Sequence, residues 1–426
     1  MKTTLLGFCA LAAALSACGS SERQFASGTT GGAGTAASGS GGGGGVGGSG
    51  GEAGGSGGGG AAGAPDIDAG GSDAGAGGSS AGAGGMGGAG GSCSGMICSD
   101  TCVDVQMDSH NCGRCGHDCL GGACVSAVCQ VVTIATGQGR AFVVGTDIQF
   151  VYWGGDGGPI AKKSLDNTGS IIPLVPAPTY TEAAYAMVVT PDALYWGNDW
   201  KDKGLRGCAL PSCVGGAQNL VTGTYNVHAV ISNATRGVVY YDQGNSIVQK
   251  AVPIGNPAPL TATAAGVNAL AIDSSFVYWV ETTGTQIYAM NKIPLAGGAI
   301  TTLASNRTGD IHSLAVGPSM LYWAENVSAS GPATIRSAPL PSGVPAATEP
   351  TKIADVVGTV RTVATDATHI YFANRTGNSI QRCPLAGCLG APPVFAPASG
   401  GPWGLAVDAR AVYWVTESGI VARLAK

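Results

Sequence analysis

The sequence predicts an all-β chain: a seven-bladed β-propeller over residues 130–426, preceded by a disordered Gly-rich tether and a small disulfide-rich module. Two observations carry the propeller. First, an adjacent pair of aromatics recurs seven times, at Tyr152-Trp153, Tyr195-Trp196, Tyr240-Tyr241, Tyr278-Trp279, Tyr322-Trp323, Tyr371-Phe372 and Tyr413-Trp414. The steps are 43, 45, 38, 44, 49 and 42 residues, the length of a four-stranded sheet with its turns and within the period range of propeller blades. Second, neighbouring residues on a strand face opposite sides of the sheet, so Phe276-Val277-Tyr278-Trp279-Val280 needs cover on both faces. A propeller supplies it by setting each blade between two others. A helix-covered parallel sheet would also supply it, but Gly and Pro separate these strands, not amphipathic helical stretches.

In chain order, residues 1–17 read as a signal peptide, with Lys2, an apolar stretch from Leu5 to Leu15, and then Leu15-Ser16-Ala17-Cys18. These four residues resemble the lipobox of bacterial lipoproteins. The resemblance implies cleavage before Cys18, lipidation of Cys18 and attachment to the membrane via the lipid anchor, which is stable with two or three acyl chains and marginal with one. Gly19, where that family uses Asp for retention at the inner membrane, implies an outer-membrane lipoprotein of the cell envelope, with surface exposure as one option. The competing reading is an ordinary export signal with Cys18 merely nearby.

Residues 18–92 are almost entirely Gly, Ala and Ser, and hold much of the chain's 73 glycines. Such a segment has too few large apolar groups to offset the entropy of ordering and reads as a coil. At roughly 5–6 Å times the square root of its length, its mean reach is about 45–50 Å. Asp66, Asp68 and Asp73 lack the spacing and distal Glu of a calcium hand, which favours simple solvation of the linker. Over the 426 residues the formal charge is -5, with no Lys/Arg cluster, which argues against nucleic acid as a partner. No motif calls for a cofactor.

Residues 93–129 hold eight cysteines: Cys93, Cys98, Cys102, Cys112, Cys115, Cys119, Cys124 and Cys129. An even count in an exported chain argues for disulfides, and so short a segment cannot close a core unaided. Spacing does not give the connectivity. A zinc site using Cys112 and Cys115 with His110 or His117 is the rival, weakened by the export signal. The run Asn111-Cys112-Gly113-Arg114-Cys115-Gly116-His117-Asp118-Cys119 resembles a small cysteine-rich motif of secreted and lipid-anchored bacterial proteins; a stalk and an adhesive knob are equally compatible with it.

Within the propeller region each aromatic pair sits in the same order of strands and turns. Asp lies five residues ahead of the pair at Asp147, Asp273, Asp366 and Asp408, as suits a turn whose side chain bonds its own backbone. Only three strands follow the last repeat's start, while Val131 to Ala135 stands unpartnered ahead of the first, so this early strand is expected to complete the last blade and remove two open edges. The aromatic strands resemble the Tyr-Trp-Thr-Asp repeats of lipoprotein-receptor propellers, with Glu281, Glu325, Asn198 and Asn374 near the acidic position; this implies fold and no ligand. Cys208 with Cys213 and Cys383 with Cys388 occupy matching hairpins and read as staples, since a redox pair would have two intervening residues and a helix start.

Ten residues before the first aromatic, twelve in the third repeat, one column is expected to open every inner strand: Phe142, Tyr185, His228, Asn268, His312, Arg361 and Trp403. Inner strands of a propeller converge on its channel, so these residues are the candidate ligand-binding ring. The alternative is that they plug the channel. As a binding surface the ring would take a protein, peptide or glycan ligand. As an enzyme of lyase or hydrolase type it would use His and Arg as acid and electrophile, as propeller lyases do, but the column holds no carboxylate to orient an imidazole. No nucleophile elbow, zinc-binding helix or phosphate loop occurs, and no catalytic residue or metal ligand is assigned.

Overall fold

The computed structural model describes residues 93–176, 182–200, 203–223, 226–252, 255–263, 266–340 and 348–426. The signal, Cys18 and the tether lie outside them. The described residues are all β apart from one 3-10 turn at Ala234–Arg236. The fourth repeat shows the pattern: Val267–Ile272, Phe276–Gly284, Ile287–Pro294 and Thr301–Thr308 pair antiparallel in chain order. Four sheets are four-stranded in this way, a fifth borrows its fourth strand from earlier in the chain, and one has eight strands, being two four-stranded ladders joined by the single pair Ala183 and Asp156.

First strands of successive repeats lie side by side. Arg140–Thr146 touches Glu182–Val189, then Val230–Asn233, Val267–Ile272, Leu314–Val316, Val360–Thr365 and Pro402–Val407 follow in turn, and the last returns to Arg140–Thr146. The final sheet takes Val132–Ala135 as its fourth strand, paired to Val421–Ala425. An early strand therefore covers the edge of the last sheet, as the sequence led us to expect.

The aromatic pairs explain why the sheets stack. Trp279 packs on Ala229, Ile231 and Tyr240 of the preceding repeat, whereas Tyr278 packs on Ile311, Leu314 and Trp323 of the following one. Adjacent residues thus serve opposite neighbours. Burying each such side chain contributes on the order of 3 kcal/mol. Tyr keeps its hydroxyl satisfied at the sheet margin: Tyr152, Tyr278, Tyr371 and Tyr413 donate to Asp147, Asp273, Asp366 and Asp408 at 2.7, 2.6, 3.1 and 3.0 Å. Each of those carboxylates also accepts two backbone N–H groups of its own turn.

The cysteine module is cross-linked Cys93–Cys102, Cys98–Cys115, Cys112–Cys124 and Cys119–Cys129. With Cys112 and Cys115 both in disulfides, neither has a thiolate to offer zinc, and that rival falls. The module is seated on the last sheet: its four inner cysteines share a cluster with Trp414, Leu424 and Ala425. Buried Arg423 fastens it, donating to the Leu120 carbonyl of the module and the Leu165 carbonyl of the first repeat. Cys208–Cys213 and Cys383–Cys388 close their hairpins as read from the sequence.

Candidate functional site

Five of the seven column residues share a backbone feature that the sequence did not reveal. In five repeats the pairing of first and second strands slips at that residue: Phe142, Tyr185, Asn268, Arg361 with Thr362, and Trp403 with Gly404 are skipped in the ladder. These are bulges, which turn one side chain away from the alternation of its strand. His228 and His312 instead lie just ahead of their strands, a correction to the expectation that all seven open a strand. Beside His228 a side chain supplements the ladder: Asp242 Oδ1 accepts the N–H groups of His228 and Ala229 at 2.8 and 2.7 Å, while the Asp242 N–H donates to the Ala229 carbonyl at 3.3 Å.

Column residues of neighbouring repeats touch one another. The ring of Phe142 lies parallel to Tyr185 at 5.1 Å and tilted against Trp403 at 4.9 Å. The Arg361 guanidinium sits 4.3 Å from the Trp403 centroid, a cation over an aromatic face. Arg361 in turn acts electrostatically on His312: burial first, and this charge second, push the imidazole down to about 3, so it is neutral at ordinary pH. Asn268 Nδ2 reaches the Ile311 carbonyl at 3.4 Å, and its Oδ1 accepts from Thr282 at 3.3 Å. Phe142, Arg361 and Trp403 are buried, while Tyr185, His228, Asn268 and His312 keep partial exposure. One arc of the ring is therefore packed and the other is partly open.

Four charged residues outside the column complete the arrangement. Asp242 Oδ2 approaches His228 Nδ1 at 3.4 Å, supplying an orienting carboxylate that the column itself lacks. Arg140 lies 5.1 Å from the Phe142 centroid and Arg375 lies 5.4 Å from that of Trp403. Glu417 bridges the two arginines: Arg375 Nε and Nη2 donate to it at 3.0 and 3.2 Å, and Arg140 Nη2 at 3.2 Å. A signal for them existed, since Arg375 and Glu417 both stand four residues after the tyrosine of their pairs, with opposite charge in neighbouring repeats.

No family model matches the chain, and no curated protein matches it. Among solved structures it is similar to virginiamycin B lyase from Staphylococcus aureus. The selenomethionine-substituted enzyme is 14% identical, with a TM-score of 0.51, over 70% of this chain and 98% of that one. A catalytically inactive variant with quinupristin gives 13%, 0.50, 70% and 98%. A nidogen/laminin complex is matched at 13% identity and a TM-score of 0.42, over 56% of this chain and 90% of that one. At such identities the lyase likeness speaks for a propeller-type fold alone.

Proposed function

We propose that this is a lipid-anchored cell-envelope protein, held in the outer membrane through Cys18, whose tether 18–92 and disulfide-rich module 93–129 carry a seven-bladed β-propeller over 130–426. The propeller is a recognition scaffold, and its ligand is a protein, peptide or glycan met at the ring. The observation that carries this reading is the convergence at ladder bulges of side chains from separate repeats, with Tyr185, His228, Asn268 and His312 left partly accessible. Concave sites with a few converging polar groups are where ligands bind. The His228–Asp242 approach at 3.4 Å favours, as second reading, a lyase or hydrolase in which Asp242 orients the imidazole.

Glycan and peptide arrays probed with the lipid-free chain separate these readings. A ligand whose binding falls at least tenfold in Asn268→Ala and His228→Ala supports recognition at the ring; undiminished binding in both moves the site elsewhere. Release of a new product from the bound compound, lost in His228→Ala, would favour the enzyme. Anchoring is tested separately by Cys18→Ser, which should shift the protein from the membrane to the soluble fraction and abolish incorporation of labelled fatty acid.

A further inference from the structure

We infer that the propeller face bearing the hairpin staples lies on the membrane surface, with Val214, Leu389 and Ile148 entering the lipid interface and the ring turned outward. The inference rests on the anchoring at Cys18 proposed above and adds the orientation of the folded part. Strands alternate in direction within each sheet, so the turn after the first strand and the hairpin after the third lie at the same end. Neighbouring sheets are joined at that end right round the ring. The hairpin carbonyls of Leu295, Leu340, Leu385 and Leu165 each accept from a side chain of the preceding repeat. Leu210 and Val252 share clusters with Tyr152 and Tyr195 of the repeats before them, and Lys426 of the last repeat donates to the Asp366 turn of the sixth. The seven turn ends therefore form one face.

Three large aliphatic side chains project from it. Val214 and Leu389 occupy matching places, each directly after the second cysteine of a staple, and are 84% and 108% exposed. Ile148, in the first turn of the first repeat, is 83% exposed. The staples hold the first two in place: Cys213 and Cys383 are buried, and the Cys388 N–H donates to the Ile353 carbonyl of the fifth repeat at 3.0 Å. A tip fixed in advance loses little freedom on docking.

The spacing of the tips argues for lipid as the occupant. They belong to the first, second and sixth repeats and make no single patch, whereas a protein partner needs a continuous area of about 800 Å². A bilayer asks only that the tips share a plane, and three points around a ring define one. The chain leading to the propeller points the same way. Segment 18–92 runs from Cys18 to the module, and the module sits at this end: Asp118 lies 3.4 Å from Arg410 in the last repeat's turn, and Leu120 packs with Leu165. The ring end also exposes Val327 and Val357, yet the anchored segment joins the opposite one. A tethered anchor keeps the face near lipid at high effective concentration, so weak contacts suffice to orient it.

Co-sedimentation of the mature lipid-free chain, residues 18–426 carrying Cys18→Ser, with phosphatidylethanolamine–phosphatidylglycerol vesicles at millimolar lipid tests the face apart from the anchor. We expect a weak partition that falls at least tenfold in Val214→Ser/Leu389→Ser, because two aliphatic side chains no longer leave water, and that stays within about twofold in Val327→Ser/Val357→Ser. Absence of partition in the otherwise unaltered chain, an undiminished one in the tip variant, or an equal loss from the ring-end pair overturns the inference. Leu389→Trp gives a second measurement: brominated acyl chains should quench its added fluorescence at least twofold more than that of Val357→Trp, and equal quenching counts against the face as well. Labelled fatty acid at Cys18 of the wild-type chain reports the anchor independently. Label absent with tip-dependent partition intact would remove the anchor and leave the face; label present without tip dependence would remove the face and leave the anchor.

Discussion

Asp147, Asp273, Asp366 and Asp408 show how single residues set the margin of each sheet. Each ties two backbone N–H groups and a tyrosine hydroxyl to one carboxylate, and the cross-strand partner of that tyrosine is then a cation: Lys162, Lys292, Arg382 and Arg423 respectively. In the three repeats without this Asp, the tyrosine faces Gly207, Gln249 or Ser337 instead. Two of those tyrosines, Tyr240 and Tyr322, donate to the Leu295 and Leu385 carbonyls of the next repeat. The carboxylate and the cation come and go together across the seven repeats. Burial, then the Asp147 hydrogen bond and charge, push the Tyr152 hydroxyl well above its ordinary range. Asp273→Ala strands two N–H groups and a hydroxyl, so we expect about 2–3 kcal/mol of lost stability in urea unfolding, against about 1 kcal/mol for Tyr278→Phe. Asp366 is opposed by burial but held below its usual range by Lys426 and its turn N–H groups. A carboxyl whose folded pKa is depressed stabilises the fold above its unfolded value of about 4 and loses that contribution as pH falls further. Asp366→Asn should therefore flatten the fall of melting temperature below about pH 4 while lowering the plateau at neutral pH.

At the scale of the element, the hairpin staples and the bulges behave differently with respect to sequence. A closed ring of six residues, as in Cys208–Cys213 and Cys383–Cys388, restricts the unfolded chain by about 2 kcal/mol on the loop-entropy estimate. Replacing both cysteines of one staple by serine should lower the unfolding free energy by about that amount and leave the array profile of the protein unchanged; a larger loss would point to packing of Cys383, which is fully buried. These staples were legible because two cysteines in one hairpin turn have one obvious partner each. The aromatic pairs were legible for the same local reason, since two large rings in succession demand cover on both faces. The column of candidate residues was legible as a column, but its bulges were not: a bulge is a relation between two strands, and neither strand alone records which residue is skipped. Asp242 and Glu417 escaped the sequence reading because they reach the ring from the end of a second strand and from the loop just after one, not from the first strand where the column was sought.

For the whole molecule, closure depends on a strand that arrives from the other side of the cysteine module. Val132–Ala135 pairs with Val421–Ala425, and the module directly ahead of it covers the same sheet through Cys119, Cys129 and Trp414. Arg423 joins the pieces, because its two guanidinium contacts go to Leu120 in the module and to Leu165 in the first repeat. Cysteine spacing concealed this, since a docking surface is a property of the folded pair. Three truncations then fall in a definite order. A chain starting at residue 93 keeps every described contact and should melt with the full-length protein. A chain starting at residue 130 uncovers the apolar cluster around Trp414 and loses the Arg423–Leu120 hydrogen bond, worth about 1 kcal/mol net; its melting temperature should fall by several degrees without aggregation. A chain starting at residue 136 also strips the fourth strand from the last sheet, exposing the backbone N–H and C=O groups of Val421–Ala425 as an open edge. Such an edge pairs with other chains, so this form should sediment as aggregate on gentle heating. Equal melting of the chains starting at 93 and 136 would show that the early strand and its module are ornaments on a ring that closes without them.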